Sequence, residues 1–322
     1  MIESEQQVRE MRIVFMGTPD FAVGVLKILV EEGKNIVGVI TAPDKPAGRG
    51  RKLRPSSVKE YAESQGLTIL QPKNLKNEDF LHELKVLNAN LQIIVAFRML
   101  PKAVWAMPEY GTFNLHASLL PQYRGAAPIN WAIINGEKKT GVTTFFIDEK
   151  IDTGEIITSS EIVITKDETV GSLRDKLMVI GSDLVIKTVS LIEKDDISTK
   201  VQPMRSDLKE APKLTSENTK IDWSLDGAKV DSFIRGLSPY PVAWSLLIND
   251  GEELKAKIYN ASYKKEDHDL PLGQIFTTKK ELMVAIKNGY LYIKEIQLPG
   301  KRKMETSSLL NGYSFDKDAK LL

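Results

Sequence analysis

The chain has 322 residues, of which 42% are hydrophobic and 27% charged, and this globular composition excludes disorder of the whole chain. Its 44 Lys and Arg residues against 43 Asp and Glu leave a formal net charge of +1, so only local clustering could indicate a nucleic-acid partner. With no cysteine and three histidines far apart in the sequence, we expect no disulfide, no thiolate catalysis and no metal.

The length exceeds that of one usual hydrophobic core, so we expect two domains. Residues 1–10 are polar and without periodicity, and they predict a short leader to which we assign no function. No apolar stretch approaches the length of a membrane span, and a cytoplasmic location is therefore the default expectation.

The first predicted elements are an apolar strand over residues 12–17 and a helix over residues 21–32. Dinucleotide binding would need Gly-x-Gly-x-x-Gly at this turn, but residues 17–22 read GTPDFA, which disfavours a nicotinamide cofactor. The absence of a Gly-x-x-x-x-Gly-Lys-Ser/Thr sequence likewise argues against an ATP-binding P-loop.

A loop rich in Gly and Pro follows the second predicted strand, residues 35–41. It carries five positive charges and no acid: Lys45, Arg49, Arg51, Lys52 and Arg54. Such a segment can adapt to a nucleic-acid backbone and neutralise its phosphates. From composition alone, a phosphate clamp and a solvated basic loop are equally good interpretations.

Strand and helix patterns then alternate through residues 57–96 and end in a strand that includes residues 112–116. Repeated β-α units with apolar strands predict an α/β fold with a doubly wound, Rossmann-like parallel sheet. Ligands of such sheets bind beyond the carboxyl ends of the strands. We therefore expect the chemistry of this protein near residues 114–116.

Asn114 and His116 lie two positions apart in that strand, so both side chains should point to one face. An amide NH₂ and an imidazole on one face can donate to a single oxygen, as a tetrahedral oxyanion requires. Asp152 follows 38 residues later in an Asp-Thr-Gly turn, where its carboxylate could orient His116 and accept a proton. Each residue alone is more often structural than catalytic.

The combination of these residues with their neighbours is far more specific. The chain resembles the folate-dependent formyltransferases, whose signature is Asn-x-His followed by Ser-Leu-Leu-Pro, an aromatic residue, Arg-Gly-x-x-Pro and a later Asp-x-Gly. The matching positions are Asn114, His116, Ser118, Leu119, Leu120, Pro121, Tyr123, Arg124, Gly125, Pro128 and Asp152.

The resemblance implies catalysis by Asn114, His116 and Asp152, with 10-formyltetrahydrofolate as the formyl donor and no metal. It also implies that the donor is bound by the loop after the strand at residues 91–96 and by the loop after His116. The folate-binding residues so implied are Arg98, Met99, Leu100, Ser118, Leu119, Leu120 and Pro121. On the sequence alone, the apolar loop before Pro101 could equally be packing.

The remaining pattern predicts a helix at residues 126–136, edge strands at residues 140–147 and 155–164, and a long helix at residues 169–194. We therefore expect a catalytic domain over residues 11–194, a polar linker over residues 195–215 and a second domain over residues 216–322.

After a helix at residues 226–237, five short strands predict a small open barrel of the oligonucleotide-binding (OB) type in the second domain. Lys287-Asn288-Gly289 is a strong hairpin signal between the last two strands. A basic cluster of Lys301, Arg302 and Lys303 follows the last strand. The resemblance implies that this domain binds tRNA.

The basic loop and the barrel are similar to those of family members that formylate methionyl-initiator tRNA, so the resemblance implies this reaction, in a monomer not bound to a membrane. Formylation of a nucleotide-linked amino sugar is an alternative with the same catalytic residues. A module that transfers formyl to water is another, and neither needs the basic loop. An RNA-binding protein with a vestigial site is disfavoured by the intact Asn114, His116 and Asp152.

Overall fold

The computed structural model describes residues 9–47, 52–203 and 205–322, with only the backbone described at Ala47 and Lys52. The chain forms two compact units. Unit 1 consists of residues 1–125, 141–162 and 174–210, and unit 2 of residues 126–140, 163–173 and 211–322.

The first part of the chain alternates strands and helices. Its strands are β1 (Ile13–Gly17), β2 (Ile36–Ile40), β3 (Lys45–Ala47), β4 (Lys52–Arg54), β5 (Ile69–Leu70), β6 (Leu91–Val95), β7 (Thr112–His116), β8 (Arg124–Gly125), β9 (Lys139–Phe146) and β10 (Ile156–Val163). Its helices are α1 (Asp20–Glu31), α2 (Ser57–Ser64), α3 (Glu78–Val86), α4 (Lys102–Trp105), α5 (Pro128–Ile134) and α6 (Val170–Glu193).

The central sheet has the strand order β10-β9-β7-β6-β1-β2-β5. Neighbouring strands from β7 to β5 pair in parallel, and β9 pairs antiparallel with β7. The predicted Rossmann-like sheet with an antiparallel edge is therefore confirmed. The chain builds outward from β1 to β5 and then returns to β6 on the other side of β1. This reversal of strand order is where doubly wound sheets bind ligands.

The first turn shows why the buried strand β1 ends in Gly17. A Cβ at this position would lie 2.6 Å from the Ala22 Cβ and 3.1 Å from the Val95 carbonyl oxygen. Only glycine fits so close to both the start of α1 and the end of β6. The turn thus places the end of β1 directly beside the strand that precedes residues 97–100.

The basic segment contains a short hairpin where the sequence predicted only a loop. Strands β3 and β4 pair antiparallel, with Lys45 opposite Arg54. The hairpin is joined to the sheet at Asp44, whose carboxylate accepts from Lys59 Nζ at 2.7 Å and from Gln71 Nε2 at 2.8 Å. Long-range contacts of this kind leave no local sequence signal.

The later elements belong largely to unit 2. They are β11 (Glu210–Ala211), a 3₁₀ turn (Glu217–Thr219), α7 (Gly227–Leu237), β12 (Ala243–Asn249), β13 (Glu252–Lys265), β14 (Ile275–Thr277), β15 (Leu282–Ile286), β16 (Gly289–Gln297), β17 (Met304–Glu305), α8 (Thr306–Leu310) and β18 (Lys320–Leu321).

The strands of unit 2 form a nearly closed barrel in the order β14-β15-β16-β13-β12-β18, with β17 paired to β16. A bridge between Gln274 and Lys320 links the first strand of this order to the last. The predicted OB-like barrel is therefore confirmed. The hairpin predicted at Lys287-Asn288-Gly289 is also confirmed, with Ile286 opposite Gly289.

Each of the two units combines segments that are separate in the sequence. Helix α5 belongs to unit 2, where it packs on α7 and Asn130 Nδ2 donates to the Gly236 carbonyl at 2.8 Å. Residues 195–210, expected as a linker, are part of unit 1. Within the described residues, no helix combines the length and the apolar character needed to cross a membrane.

Candidate active site

Strand β7 carries Asn114 and His116 on one face and Phe113 and Leu115 on the other. Phe113 and Leu115 are buried, and Leu115 packs against α6 at Gly181, where a Cβ would lie 2.9 Å from its Cδ2. This apolar contact fixes the rotation of the strand and so turns Asn114 and His116 to the opposite side.

The orientation of the His116 ring is set by a backbone carbonyl. Its Nε2 lies 2.8 Å from the Tyr123 oxygen, and its ring meets Phe145 edge to face. Because a carbonyl oxygen only accepts, Nε2 must carry a hydrogen. Nδ1 is therefore the ring nitrogen left to receive or donate a proton.

Asp152 lies beside this free nitrogen. Its Oδ2 is 3.7 Å from His116 Nδ1 and accepts from the Gly125 amide at 2.9 Å. The shorter contact to the ring comes from the Tyr123 carbonyl, and the orienting role expected of Asp152 stays a prediction. The carboxylate instead faces Nδ1 across a gap that a proton-carrying group could bridge.

The Asn114 amide is the least satisfied group at the site. Its Oδ1 is buried and has no hydrogen-bond partner among the described residues. A buried acceptor without a partner costs about 1–3 kcal/mol. A catalytic role is one of the recognised reasons for a buried polar atom to lack a partner.

The loop at residues 118–121 is shaped by Thr143 on β9. Thr143 Oγ1 donates to the Ser118 carbonyl at 2.7 Å and lies 3.2 Å from the Leu120 amide, which donates to it. Ser118 Oγ donates to the Gln122 carbonyl at 2.6 Å. The Ser118 hydroxyl is thus used inside the loop, whereas Leu119 and Pro121 remain partly accessible.

The loop that follows β6 is tied to a neighbouring loop by Arg98. Its guanidinium donates to the carbonyls of Pro72 and Lys73, and desolvation lowers its pKa. Met99 is 67% exposed, whereas Leu100 is buried in the core of unit 1. Arg98 and Met99 are thus both exposed in this loop, and its binding of folate stays a prediction.

Gln202 is a residue at this site that the sequence analysis missed. It is 6% exposed and bonds both to Arg124 and to the backbone of the turn that carries Asp152. It lies in the segment that the sequence indicated as a polar linker, 50 residues from Asp152. No local pattern could have indicated these contacts.

The predicted tRNA-binding residues lie in both units. In unit 1, Lys45 and Arg54 are exposed, while Arg49 and Arg51 lie outside the described residues, as does the side chain of Lys52. In unit 2, all of Lys301, Arg302 and Lys303 are exposed.

Lys303 differs from its two neighbours in the basic cluster of unit 2. Its Nζ lies 2.8 Å from Glu295 Oε1, and this hydrogen bond raises the pKa of Lys303.

Comparison with known proteins identifies the family. Residues 11–189 match the formyl transferase family and residues 213–314 match the formyl transferase C-terminal domain. The chain belongs to the formyl transferase family. The methionyl-tRNA formyltransferase of Flavobacterium johnsoniae is 57% identical to this formyl transferase over 98% of the chain and 100% of the relative. The enzyme of the same name from Bacteroides thetaiotaomicron is 51% identical over 94% of the chain and 96% of the relative.

Solved structures share the fold of this formyl transferase at lower identity. The sugar 3N-formyl transferase WlaRD superposes with a TM-score of 0.64 at 19% identity, covering 91% of this chain and all of the other. HypX from Aquifex aeolicus in complex with tetrahydrofolic acid also gives 0.64 at 19% identity, covering 96% of this chain and 49% of the other.

Proposed function

We propose that this formyl transferase moves the formyl group of 10-formyltetrahydrofolate to the α-amino group of methionine esterified to initiator tRNA. The relatives that are 57% and 51% identical along nearly the whole chain support this acceptor, because both carry the name methionyl-tRNA formyltransferase. The observation that carries the chemistry is an unpartnered Asn114 amide oxygen on the strand face where His116 and Asp152 meet.

The Asn114 amide fits a reaction between an amine and a formyl group. Its unpartnered Oδ1 can accept an N–H of the attacking amine, while its Nδ2 can donate to the formyl oxygen. Donation to that oxygen becomes stronger as negative charge develops there, and this differential binding accelerates the reaction. Asn114 would thus orient the nucleophile and stabilise the oxyanion.

We assign His116 Nδ1 as a second hydrogen-bond donor to the formyl oxygen. With Nε2 committed to the Tyr123 carbonyl, a doubly protonated ring presents Nδ1–H toward the reacting atoms. The Asp152 carboxylate lies 3.7 Å from this Nδ1. His116 would thus act as the second donor to the developing oxyanion.

Asp152 is placed to handle the proton that the amine loses. As the new C–N bond forms, the amine becomes positively charged, and Asp152 takes its proton. The proton passes to the folate nitrogen as the old C–N bond breaks, so protons and electron pairs balance. An α-amino group titrates at about 8, so only modest assistance is needed to keep it neutral before attack.

The basic hairpin β3–β4 suits a nucleic-acid acceptor. Lys45 lies directly opposite Arg54, and neither side chain makes an ion pair to another described residue. Like charges facing each other across a hairpin destabilise it. A phosphate between the two cations would remove that repulsion, which favours tRNA over a free amino acid as the carrier of the amine.

The proposal is tested by offering the purified protein 10-formyltetrahydrofolate with one of four acceptors. These are methionyl-initiator tRNA, methionyl-elongator tRNA, free methionine and an amino-sugar nucleotide. We expect formylmethionine to be released by mild alkali from the initiator tRNA reaction alone. The Asn114→Ala protein, purified identically, controls for a contaminating host enzyme. Formylation of the sugar or release of free formate as the main product would overturn the proposal.

A further inference from the structure

Gln202 occupies a fixed position next to the predicted catalytic residues. Two residues before it, Lys200 pairs with Ile156 at the start of β10 through two backbone hydrogen bonds of 2.8 Å. The pairing holds this segment along the edge of the central sheet. The Gln202 side chain is then 6% exposed.

We propose that Gln202 is a positioning residue for formyl transfer that holds the Asp152 turn against the strand β8. The inference rests on the proposed function for its kinetic meaning, although its structural basis is independent of it. Gln202 would touch neither substrate and would act through the location of the Asp152 carboxylate.

All the hydrogen-bonding capacity of the Gln202 amide is used. Its Nε2 donates to the carbonyl of Asp152 at 3.0 Å and to that of Gly154 at 2.7 Å. Its Oε1 accepts from Arg124 Nε at 3.1 Å and Nη2 at 2.7 Å. Two N–H groups and two lone pairs are thereby occupied, so the side chain cannot also bind a ligand.

The turn held in this way is constrained on every side. Asp152 has a φ of +53°, a left-handed conformation that is costly for a residue other than glycine. At Gly154, a Cβ would lie 1.7 Å from the Phe146 carbonyl oxygen, so the backbone there has no room to shift toward β9. The Gly125 amide, next to Arg124, donates to the Asp152 side chain.

Gln202 therefore connects the two segments that fix the carboxylate. One segment is β8, which supplies Arg124 to Gln202 and the Gly125 amide to Asp152. The other is the turn at residues 152–154. Without the amide, the carbonyls of Asp152 and Gly154 and the Arg124 guanidinium lose partners, and the turn can relax away from His116. A displacement of about 1 Å at a reacting group can reduce a rate about a hundredfold.

Two variants separate the hydrogen bonds of Gln202 to Arg124 from those to the turn at residues 152–154. Gln202→Met removes all four hydrogen bonds, whereas Gln202→Glu keeps the acceptor for Arg124 and loses the donors to the turn. We expect both to lower the single-turnover rate by roughly 10- to 100-fold while changing the apparent KM for methionyl-tRNA less than about threefold. Retention of the rate in Gln202→Glu would show that the bonds to the turn are dispensable.

A double-mutant cycle with Asp152→Asn distinguishes positioning from general destabilisation. If Gln202 acts through Asp152, Gln202→Met should cost much less in the Asp152→Asn protein than in the wild type. Gln92→Met is the matched control, because Gln92 is a buried glutamine in the same unit that accepts from Thr112 and makes no side-chain hydrogen bond to a predicted site residue among the described residues. Additive effects, or equal losses in the Gln202 and Gln92 variants, would overturn the proposal.

A spectroscopic measurement decides the question without any acceptor. The chain has three histidines, so the ¹⁵N signals of His116 can be assigned with one His116 variant. Gln202→Met should move the Nδ1 signal in the direction that Asp152→Asn moves it, while Gln92→Met should not. An unmoved signal contradicts the positioning role and leaves the proposed function intact. A wild-type protein that formylates no tRNA contradicts the proposed function alone.

Discussion

Asn114 is the residue at which donor and acceptor roles can be separated experimentally. Its side chain lies on the same strand face as His116, and its Oδ1 has no partner within the described part of the chain. An aspartate would preserve the acceptor and remove the donor, whereas an alanine would remove both. The two substitutions therefore ask which half of the amide supports the reaction.

We expect Asn114→Ala to reduce the single-turnover rate of formyl transfer by roughly 100- to 1000-fold, the usual cost of removing one oxyanion donor. Asn114→Asp should lose at least as much, because it lacks the donor and places a negative charge where the oxyanion would form. Thermal unfolding of both variants controls for misfolding. A loss below tenfold in Asn114→Ala would rule out the assigned role.

The individual site residues differ in how far the sequence could predict them. Asn114 and His116 stand in one motif and Asp152 in a separate Asp-Thr-Gly turn, and the structure brings His116 and Asp152 to 3.7 Å. The Tyr123 carbonyl that orients His116 is a backbone group, which no side-chain pattern reports. Gln202 meets Arg124 across 78 residues, and only the folded chain brings such distant groups together.

Among the elements, the hairpin β3–β4 depends on a small polar cluster at its base. Lys59 Nζ donates to Asp44, and Gln71 Nε2 donates both to Asp44 and to the Ala42 carbonyl. The hydrogen bond from Gln71 and that from Lys59 lower the pKa of the Asp44 carboxyl. The hydrogen bond to Asp44 raises the pKa of Lys59. We expect this cluster to fix the base of the hairpin against the sheet.

Lys59→Met should therefore raise the apparent KM for methionyl-tRNA by roughly 3- to 10-fold and leave the KM for the folate donor unchanged. Lys27→Met is the control, because Lys27 is also a helical lysine with an acidic residue four positions later, at Glu31. A similar change in the folate KM would indicate damage to the unit as a whole.

The pH dependence of that effect follows from the two pKa shifts. The lowered pKa of Asp44 means that its contribution is present at neutral pH and lost only as the pH falls through that lowered value. The raised pKa of Lys59 means that its contribution is lost only as the pH rises through that raised value. The KM difference between Lys59→Met and wild type should thus be constant between about pH 6 and pH 9.

The contact between α5 and α7 in unit 2 depends on a glycine. A Cβ at Gly236 would lie 2.6 Å from Ile134 Cγ1 and 3.0 Å from the Asn130 carbonyl oxygen. Overpacking typically costs about 1–3 kcal/mol, and the higher helix propensity of alanine returns about 1 kcal/mol. We expect Gly236→Ala to lower the free energy of unfolding by up to about 2 kcal/mol, measured by urea denaturation.

Gly312→Ala provides the control for that measurement. A Cβ at Gly312 would meet no atom within 4 Å, so this substitution in the same unit should change stability by less than about 0.5 kcal/mol. If Gly236→Ala and Gly312→Ala had equal free energies of unfolding, α5 and α7 would accommodate the added methyl group without loss of stability.

Most elements were predictable because periodicity and turn residues report them directly. The predicted strand at residues 282–286 has the observed bounds of β15, and the other main strands and helices differ by a few residues. The hairpin β3–β4 and the two-residue strands β8 and β11 were not predicted. Their runs of two or three residues carry no periodic signal and depend on partners elsewhere in the chain.

For the whole molecule, the nearly neutral charge restricts how tRNA can be recognised. A formal net charge of +1 provides little long-range attraction for a polyanion. The electrostatic part of binding must then come from local basic groups, of which the structure describes Lys45 and Arg54 in unit 1 and residues 301–303 in unit 2. The salt dependence of the reaction measures how many of these cations meet phosphate.

We expect Lys45→Glu with Arg54→Glu to raise the KM for methionyl-tRNA and to reduce the slope of log KM against log salt by about one for each phosphate contact removed. The matched control replaces two other exposed lysines of unit 1, Lys85 and Lys194, by glutamate, which changes the net charge by the same amount. An equal effect in the control would mean that total charge, and not the hairpin, governs binding.

The charge-reversed hairpin variant can be combined with Lys301→Glu and Arg302→Glu. The combined variant tests whether both units contact the same tRNA at once. If they do, each pair of substitutions removes its own phosphate contacts. The two reductions in the slope of log KM against log salt should then add, because the slope reflects the total number of phosphate contacts in the complex. If only the hairpin touches tRNA, the reversal in unit 2 leaves the slope unchanged, although it alters the net charge just as much. An unchanged slope would therefore assign the electrostatic recognition of tRNA to unit 1 and contradict the predicted role of the basic cluster in unit 2.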